Sequence, residues 1–430
     1  MTPTFVMLEM LNPMLQVARA AKARGLQIVV INSTPLQTEG PYAVPEGFVD
    51  EFIAIDSWAD PLQIEKVLLD VHDRHEVVGT YAGFEPVLPY DAMLREMAGL
   101  PSSGADNLRA LLDKNQVRDR LREHGLTTLG SATLEDALTW ESWPYAGRAV
   151  LKPANGTGSA LCFIVKDLDE LKAAVADFDQ VAIANPLMRE YIENTRGYVL
   201  EEEAQGELLS VESLVCRGEV HPIGLMGRYV LAKDPVVEMG FQFPYHHPRI
   251  AEIFELAKEI HRVMGFHNGP TQIEMMVPDH GPIELIDFNP RLAGTASMVL
   301  FGEAYGLEYA ELLAALGMGE EIDFGFIGNT VRYGSEMILL PPPGLTRFES
   351  VEFPEPTFCQ RRPRKPGDEL SGRADQLDGI GMFAITAATA AELHTAALRA
   401  RRETRVNGEP LGDNENNVLA ASPYIGQDLA

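Results

Sequence analysis

Residues 269–277, GPTQIEMMV, and residues 282–294, PIELIDFNPRLAG, are joined by PDHG at 278–281. Apolar runs on either side of a Pro/Gly turn read as two paired strands. Side chains alternate along a strand, so Asp287 and Asn289 share a face. If Val277 pairs with Pro282, Glu274 falls opposite Leu285 and lies on that face too, diagonal to Asp287. Two acids and an amide then converge beside Arg291. Oxygen ligands that leave room for water and phosphate suit Mg²⁺, and a neighbouring guanidinium suits a phosphoryl oxygen. The rest of the chain has to supply the groups that hold the phosphates.

The chain has 430 residues, 46% of them hydrophobic, and a mean hydropathy of −0.07. That is an ordinary globular composition with room for two or three domains, which excludes disordered and fibrous classes. No apolar run is long enough to span a bilayer, and MTPTFVMLEML lacks the basic start of a secretory signal. A cytoplasmic protein is expected. A net charge of −28 argues against nucleic acid or an anionic membrane as partner. A phosphate ligand stays compatible, because a few local Lys and Arg outweigh a diffuse surface charge. Cys162, Cys216 and Cys359 have no metal-ligand spacing and read as reduced, mostly buried thiols.

Residues 4–31 read strand, helix, strand, the opening of an open α/β sheet. The turn after the first strand, LNPM, has no glycine, so the dinucleotide fingerprint is missing. EFIAID, a helix over Pro61–Arg74, EVVGTYAG and a helix over Pro89–Ala98 continue the pattern. Glu85 comes after the fourth strand, where small ligands often sit, although a solvated loop acid is the commoner reading. After GLPSSG at 99–104 a helix begins with Asp106 or Asn107 as cap, and Lys114 and Arg118 share one helical face.

RAVLKPANGTGSALCFIVK reads as strand, glycine-rich loop, strand. Lys152 ends the first strand, and Gly156, Thr157, Gly158 and Ser159 form a loop whose backbone N–H groups can cradle phosphate. It is not a Walker loop, since a strand comes next where a helix should. Glu201, Glu202 and Glu203 read as a solvated charge run. The strand EVHPIGLMGRYV carries Arg228. A loop with Lys233, His246 and His247 precedes a helix over Pro248–Met264, and the His pair has no further ligands spaced for a metal.

In this order the segments resemble the ATP-grasp superfamily of carboxylate–amine ligases, and within it the L-amino acid ligases and carnosine-synthase-like enzymes. DNLRALLDKNQVRDRLREHGL resembles the family's Lys-bearing helix, VLKP with NGTGS its second nucleotide lysine and glycine loop, and REYI its adenine hinge. GELLSVE resembles the segment with the ribose acid, and QIEMM with LIDFNPRLAG the paired acidic strands. Asp287 stands where most relatives have Glu, Arg228 where they often have Lys, and Arg189 where many have an acid.

The resemblance implies an α/β fold, α+β in parts. An N-terminal Rossmann-like domain would span 1–104, linking helices 105–146, a lid subdomain 147–215, a C-terminal domain with cap 216–410, and a flexible tail 411–430. It implies ATP held by Lys114, Lys152, Gly156, Thr157, Gly158, Ser159, main-chain atoms of Glu190 and Ile192, Glu207 and Arg228. Mg²⁺ or Mn²⁺ would be held by Glu274, Asp287 and Asn289, with Arg291 as the catalytic cation. The implied reaction joins a small carboxylate and an amine, both amino acids, through an acyl phosphate with release of ADP and phosphate. Phe243, His246 and His247 are substrate-wall candidates by position alone. Purine or carboxylation chemistry, or a non-catalytic ATP-binding regulator, are the alternatives. Relatives are frequently dimers, and the residues themselves decide nothing about assembly.

Overall fold

A computed structural model of the protein describes residues 2–11, 13–38, 42–155, 162–176, 197–294, 296–370 and 379–428, with Val236 placed by its backbone only. Strands β1 (Pro3–Leu8), β2 (Gln27–Asn32), β3 (Glu51–Ala54) and β4 (Glu76–Ala82) form an all-parallel sheet in the order β3-β2-β1-β4. Alternation along β1 sends Val6 and Leu8 into a core shared with Ile64, Leu68 and Leu94. Phe5 and Met7 enter a second core with Leu15, Val17 and Leu313. Helices therefore cover both faces, as parallel sheets require. One of them, α2 (Pro61–Arg74), starts where Asp60 accepts the Gln63 N–H at 3.1 Å and Pro61 presets the first turn.

Next in the chain is a small antiparallel sheet, ordered β5-β8-β6-β7, from β5 (Ser131–Thr133), β6 (Ala149–Pro153), β7 (Phe163–Val165) and β8 (Tyr198–Glu202). The next strand, β9 (Glu207–Cys216), already belongs to the large sheet. The expected lid boundary at 215 therefore moves back to the turn before Glu207. The large sheet continues with β10 (Glu219–Leu231), β11 (Asp234–Tyr245), β12 (Gly269–Val277), β13 (Glu284–Asn289) and β14 (Tyr333–Leu339). The loop expected around Lys233 is in fact the β10–β11 hairpin. After β15 (Val351–Glu352) come β16 (Phe358–Arg361) and β17 (Gly381–Ala387). The main path of the large sheet runs β13-β12-β9-β10-β11-β14-β17-β16. Two short strands, β18 (Arg405–Val406) and β19 (Glu409–Pro410), close a separate ribbon with β15.

The segment expected as a flexible tail is built into the fold. β20 (Leu419–Ala421) pairs antiparallel with β10, and the Ser422 hydroxyl accepts the Arg228 backbone N–H at 2.9 Å. The polarity of 411–430 suggested a tail, but β10 runs past the end of its pairing with β9, and the edge left there accepts a strand of any composition, because the bonds are main-chain. No helix among the described residues is long and apolar enough to cross a membrane.

The N-terminal sheet docks onto the rest through the helix Tyr309–Gly317. At Gly317 the helix and β4 approach so closely that a Cβ would sit 2.5 Å from the Thr80 carbonyl oxygen and 2.9 Å from the Phe5 ring. The buried Arg95 locks this seam, donating to the Gly317 carbonyl at 3.0 Å and the Thr80 hydroxyl at 3.1 Å. Gly317→Ala is expected to lose about 1–3 kcal/mol through overpacking at a backbone contact, despite alanine's better helix propensity. Urea unfolding measures it, and unchanged stability would show that the seam yields freely.

Candidate active site

Three units meet around one cleft of about 780 Å³. The small sheet contributes Val150, Lys152 and Ile164, the large sheet contributes its floor, and the N-terminal domain contributes Leu11, Met14, Tyr81, Phe84 and Glu85.

Strands β12 and β13 pair as the sequence suggests, but the register is tighter. Glu274 lies directly opposite Asp287 and Gln272 opposite Asn289, while Met275 faces Leu285. The extra residue, Ile286, makes a bulge on the edge strand, and this replaces the expected diagonal placement. The bulge also leaves the Leu285 and Ile286 carbonyls on a sheet edge needing donors. Arg118 donates to Leu285 at 2.9 Å and Lys152 to Ile286 at 3.0 Å.

Both cations meet Glu201, at 2.9 Å from Arg118 and 2.7 Å from Lys152. Glu201 is 3% exposed and Arg118 is 2% exposed, so Glu201 is not the solvated charge that its acidic run implied. Burial alone would raise the Glu201 carboxyl, but Lys152 and Arg118 outweigh it and hold it down at about 2. Charge accounting would have found this acid, since two cations aimed at one sheet edge need a counterion.

Lys114 begins the helix α5 (Lys114–Glu123), capped by Asp113, and stands 3.1 Å from Asp287. Arg228 reaches both Glu274 and Glu238 at 3.3 Å. Burial pushes the Glu274 carboxyl up to about 7, with Glu238 and Asp287 adding repulsion against the pull of Arg228 and Arg291. Acids so placed call for a further cation, and with the Asn289 amide they form the oxygen set that Mg²⁺ or Mn²⁺ takes when phosphate and water complete the shell. No cluster of three or more His, Cys, Asp or Glu able to hold a metal occurs among the described residues, so a structural zinc-type site is not what this group builds.

Arg291 donates from Nε to Glu85 at 2.7 Å and from a terminal nitrogen to Asn289 at 3.3 Å. Glu85 is 4% exposed, which overturns its reading as a solvated loop acid. It ties the N-terminal domain to the Arg291 loop, across a sequence separation that no local pattern reveals.

Several expected residues lie elsewhere. Gly156, Thr157, Gly158, Ser159, Glu190 and Ile192 fall outside the described residues, as does Arg189. Glu207, expected at the ribose, is absent from the cleft lining; it accepts the Tyr245 hydroxyl at 2.5 Å and faces His247 at 3.6 Å. Burial pushes its carboxyl up. Phe243 packs on Phe301 and His246 lies beside Tyr333, so neither they nor His247 line the cleft. Instead Glu202, Glu203 and Ala204 form its rim, next to the apolar side chains of Val150, Ile164, Leu208, Met276 and Ile286. The three cysteines form no disulfide and are partly buried.

The folded-state value of Glu201 lies below the ordinary 4.5, so its ionisation stabilises the fold above pH 4.5. That contribution is lost as pH falls from 4.5 through about 2. Glu201→Gln should therefore cost roughly 3 kcal/mol at pH 7. The gap to the wild type should narrow with acidification, which denaturant titrations at pH 7 and pH 3 would reveal.

Residues 146–299 match the ATP-grasp domain family. An alanine–anticapsin ligase of Bacillus amyloliquefaciens is 25% identical over 305 residues, 60% of this chain and 60% of its own length. The chain thus spans about 60% of the length of that curated relative. In three dimensions the chain is similar to an L-amino acid ligase from Bacillus licheniformis, with a TM-score of 0.77, 18% identity, and 96% and 99% of the two chains covered. It is also similar to a phosphoribosylglycinamide synthetase from Anaerococcus prevotii, with a TM-score of 0.66, 15% identity, and 94% and 99% covered. With two sheets enclosing a cation-lined cleft and residues 146–299 matching the ATP-grasp domain family, the chain shares the fold of these ligase and synthetase structures.

Proposed function

We propose that the protein is an ATP-dependent carboxylate–amine ligase that joins amino acids into a dipeptide or an amino-acid conjugate. The observation that carries this reading is the meeting of Glu274, Asp287, Asn289 and Arg291 at one end of the cleft that also holds Lys114 and Lys152. A binding-only protein has no need of a buried arginine beside a metal-binding acid pair. The ligase names of the similar proteins point the same way.

A carboxylate does not acylate an amine in neutral water, because oxide is too poor a leaving group. Transfer of the γ-phosphoryl group of ATP to a carboxylate oxygen makes an acyl phosphate and ADP. Attack of a neutral amine on its carbonyl carbon then forms the amide and expels phosphate. Phosphoryl transfer of this kind depends on positioning and charge stabilisation.

In this reading the adenine lies against the apolar side chains of Val150, Ile164, Leu208, Met276 and Ile286, which line the cleft together with Glu202, Glu203 and Ala204. Lys114 and Lys152 bind phosphate oxygens, and Arg228 takes the same role from the floor. Glu274, Asp287 and Asn289 would hold a divalent cation, which would supply charge neutralisation to the phosphates. Arg291 exchanges part of its bond with Glu85 for the carboxylate being phosphorylated and then stabilises the tetrahedral oxyanion. The substrates fit a cytoplasmic location.

Mass spectrometry of products formed from a mixed amino-acid pool with ATP and Mg²⁺ tests the reaction. New masses equal to two amino acids less one water, formed together with ADP, are expected. A nucleotide that binds with no carboxylate-stimulated ADP would leave a regulator. Arg291→Ala should lower kcat by roughly two to three decades while ATP binding stays within a few-fold. Wild-type turnover in that variant would remove Arg291 from the chemistry.

A further inference from the structure

Beside the metal acids the large sheet carries a buried polar pair that does not line the cleft. Asp287 lies directly opposite Glu274, and Glu274 directly opposite Ser210, so the three stand in one row across β13, β12 and β9. Asn289, Gln272 and Glu212 make the next row on the same face. The rows thus begin with the residues read as metal ligands and continue on β9 with a hydroxyl and a further acid. Ser210 and Glu212 are both fully buried, and neither is part of the cleft lining.

Arg228 comes to this pair from β10. Its Nη2 donates to the Ser210 hydroxyl oxygen at 3.0 Å and to Glu274 Oε1 at 3.3 Å. The Ser210 hydroxyl in turn donates to Glu212 Oε1 at 2.8 Å. A hydroxyl has one proton and two lone pairs. With the proton turned to Glu212, a lone pair faces the guanidinium, so Glu212 fixes the direction in which Ser210 serves. The second Glu212 oxygen has no hydrogen-bond partner among the described residues. An acid left in that state is costly, and packing alone would favour an apolar residue of the same shape.

The two bonds of Nη2 differ in what disturbs them. Glu274 is one of the acids that would turn to a divalent cation, and Arg228 then gives up a charged partner. Ser210 is neutral, and its bond is indifferent to that exchange. Resting on the reading of the cleft as a nucleotide site with a metal, we propose that Ser210, oriented by Glu212, is a positioning residue for Arg228. It holds the guanidinium toward the phosphates while Glu274 turns to the metal. The other contacts of Arg228 are Glu238 at 3.3 Å from Nε and the Met226 sulfur at 3.5 Å from Nη1. Without Ser210, Nη2 leans on Glu274 alone and competes with the metal for it.

Binding of a non-hydrolysable ATP analogue, adenylyl imidodiphosphate, to full-length protein can be measured by calorimetry in Mg²⁺ and again in EDTA. In Mg²⁺, Ser210→Ala and Glu212→Met are each expected to weaken binding about tenfold, the worth of one hydrogen bond to a charged group. In EDTA, where Glu274 still holds Arg228, the loss should be well below that. Glu212→Gln should stay close to the wild type, because its amide oxygen accepts the same hydroxyl. In an Arg228→Met background, Ser210→Ala should change nothing further. Urea unfolding should find Glu212→Met no less stable than the wild type. Equal losses with and without Mg²⁺ overturn the proposal, as does a Ser210→Ala loss that persists in full beside Arg228→Met. A Glu212→Met protein that is destabilised yet binds the analogue normally makes the pair structural and overturns it too. No acid or amine enters the assay, so its outcome is separate from that of the dipeptide test. A wild type that fails to bind the analogue overturns the nucleotide reading and this proposal together.

Discussion

The buried contact of Glu201 with Arg118 and Lys152 joins the small sheet and helix α5 to the edge of the large sheet. Glu201 stands on the small sheet, Arg118 on the helix that precedes it, and both cations donate to carbonyls of the bulged edge strand β13. A pair of buried cations without an acid would be several kcal/mol uphill, and an acid without them equally so. The arrangement therefore persists only as a whole. It fixes the position of β13, and with it Asp287 and Asn289, relative to the small sheet. The edge carbonyls gain partners that no neighbouring strand supplies.

The same pairing logic runs through the cleft. Lys114 faces Asp287, Arg228 faces Glu274 and Glu238, and Arg291 faces Glu85. A polyanionic nucleotide with its metal can exchange partners within this set without carrying net charge into a low-dielectric space. The lysines turn to phosphate as the acids turn to the cation. On the proposed reading, a chain of net charge −28 takes up a tetra-anion because the local balance is settled pair by pair and the surface charge is screened. Burial, with Glu238 and Asp287 repelling the same charge, is what pushes the Glu274 carboxyl up to about 7.

Much of the fold was legible because its signals are local. Helix α2 begins at the Asp60–Pro61 cap and ends where the apolar stripe ends, and β1, β2 and β4 are continuous apolar runs of the kind a doubly covered sheet needs. That Glu274 and Asp287 share a face was legible because period-two alternation and a tight turn put them there. Their register was not, because a one-residue bulge at Ile286 leaves no mark in composition. Glu201 was misread for a related reason: three consecutive glutamates look solvated, and only the partners, about fifty to eighty residues away in sequence, make one of them buried. Glu85 and Glu336 meet the Arg291 loop from distant segments, and a single sequence holds no trace of such meetings.

The division of labour between the two ends of the cleft arises from which elements build them. The phosphate end is made by strands and a helix that are cross-linked through Glu201, so its groups are held by regular structure. The other end is assembled from loops of the N-terminal domain, Leu11 to Met14 and Gly83 to Glu85, laid against β11, β14 and the Arg291 loop. Loops tolerate substitution better than a sheet whose register is fixed by burial. A reaction centre shared by many substrates belongs on the first kind of support, and substrate choice on the second. Glu85 couples them: by holding Arg291 from the N-terminal side, it makes the position of the reacting cation depend on how that domain sits over the substrate.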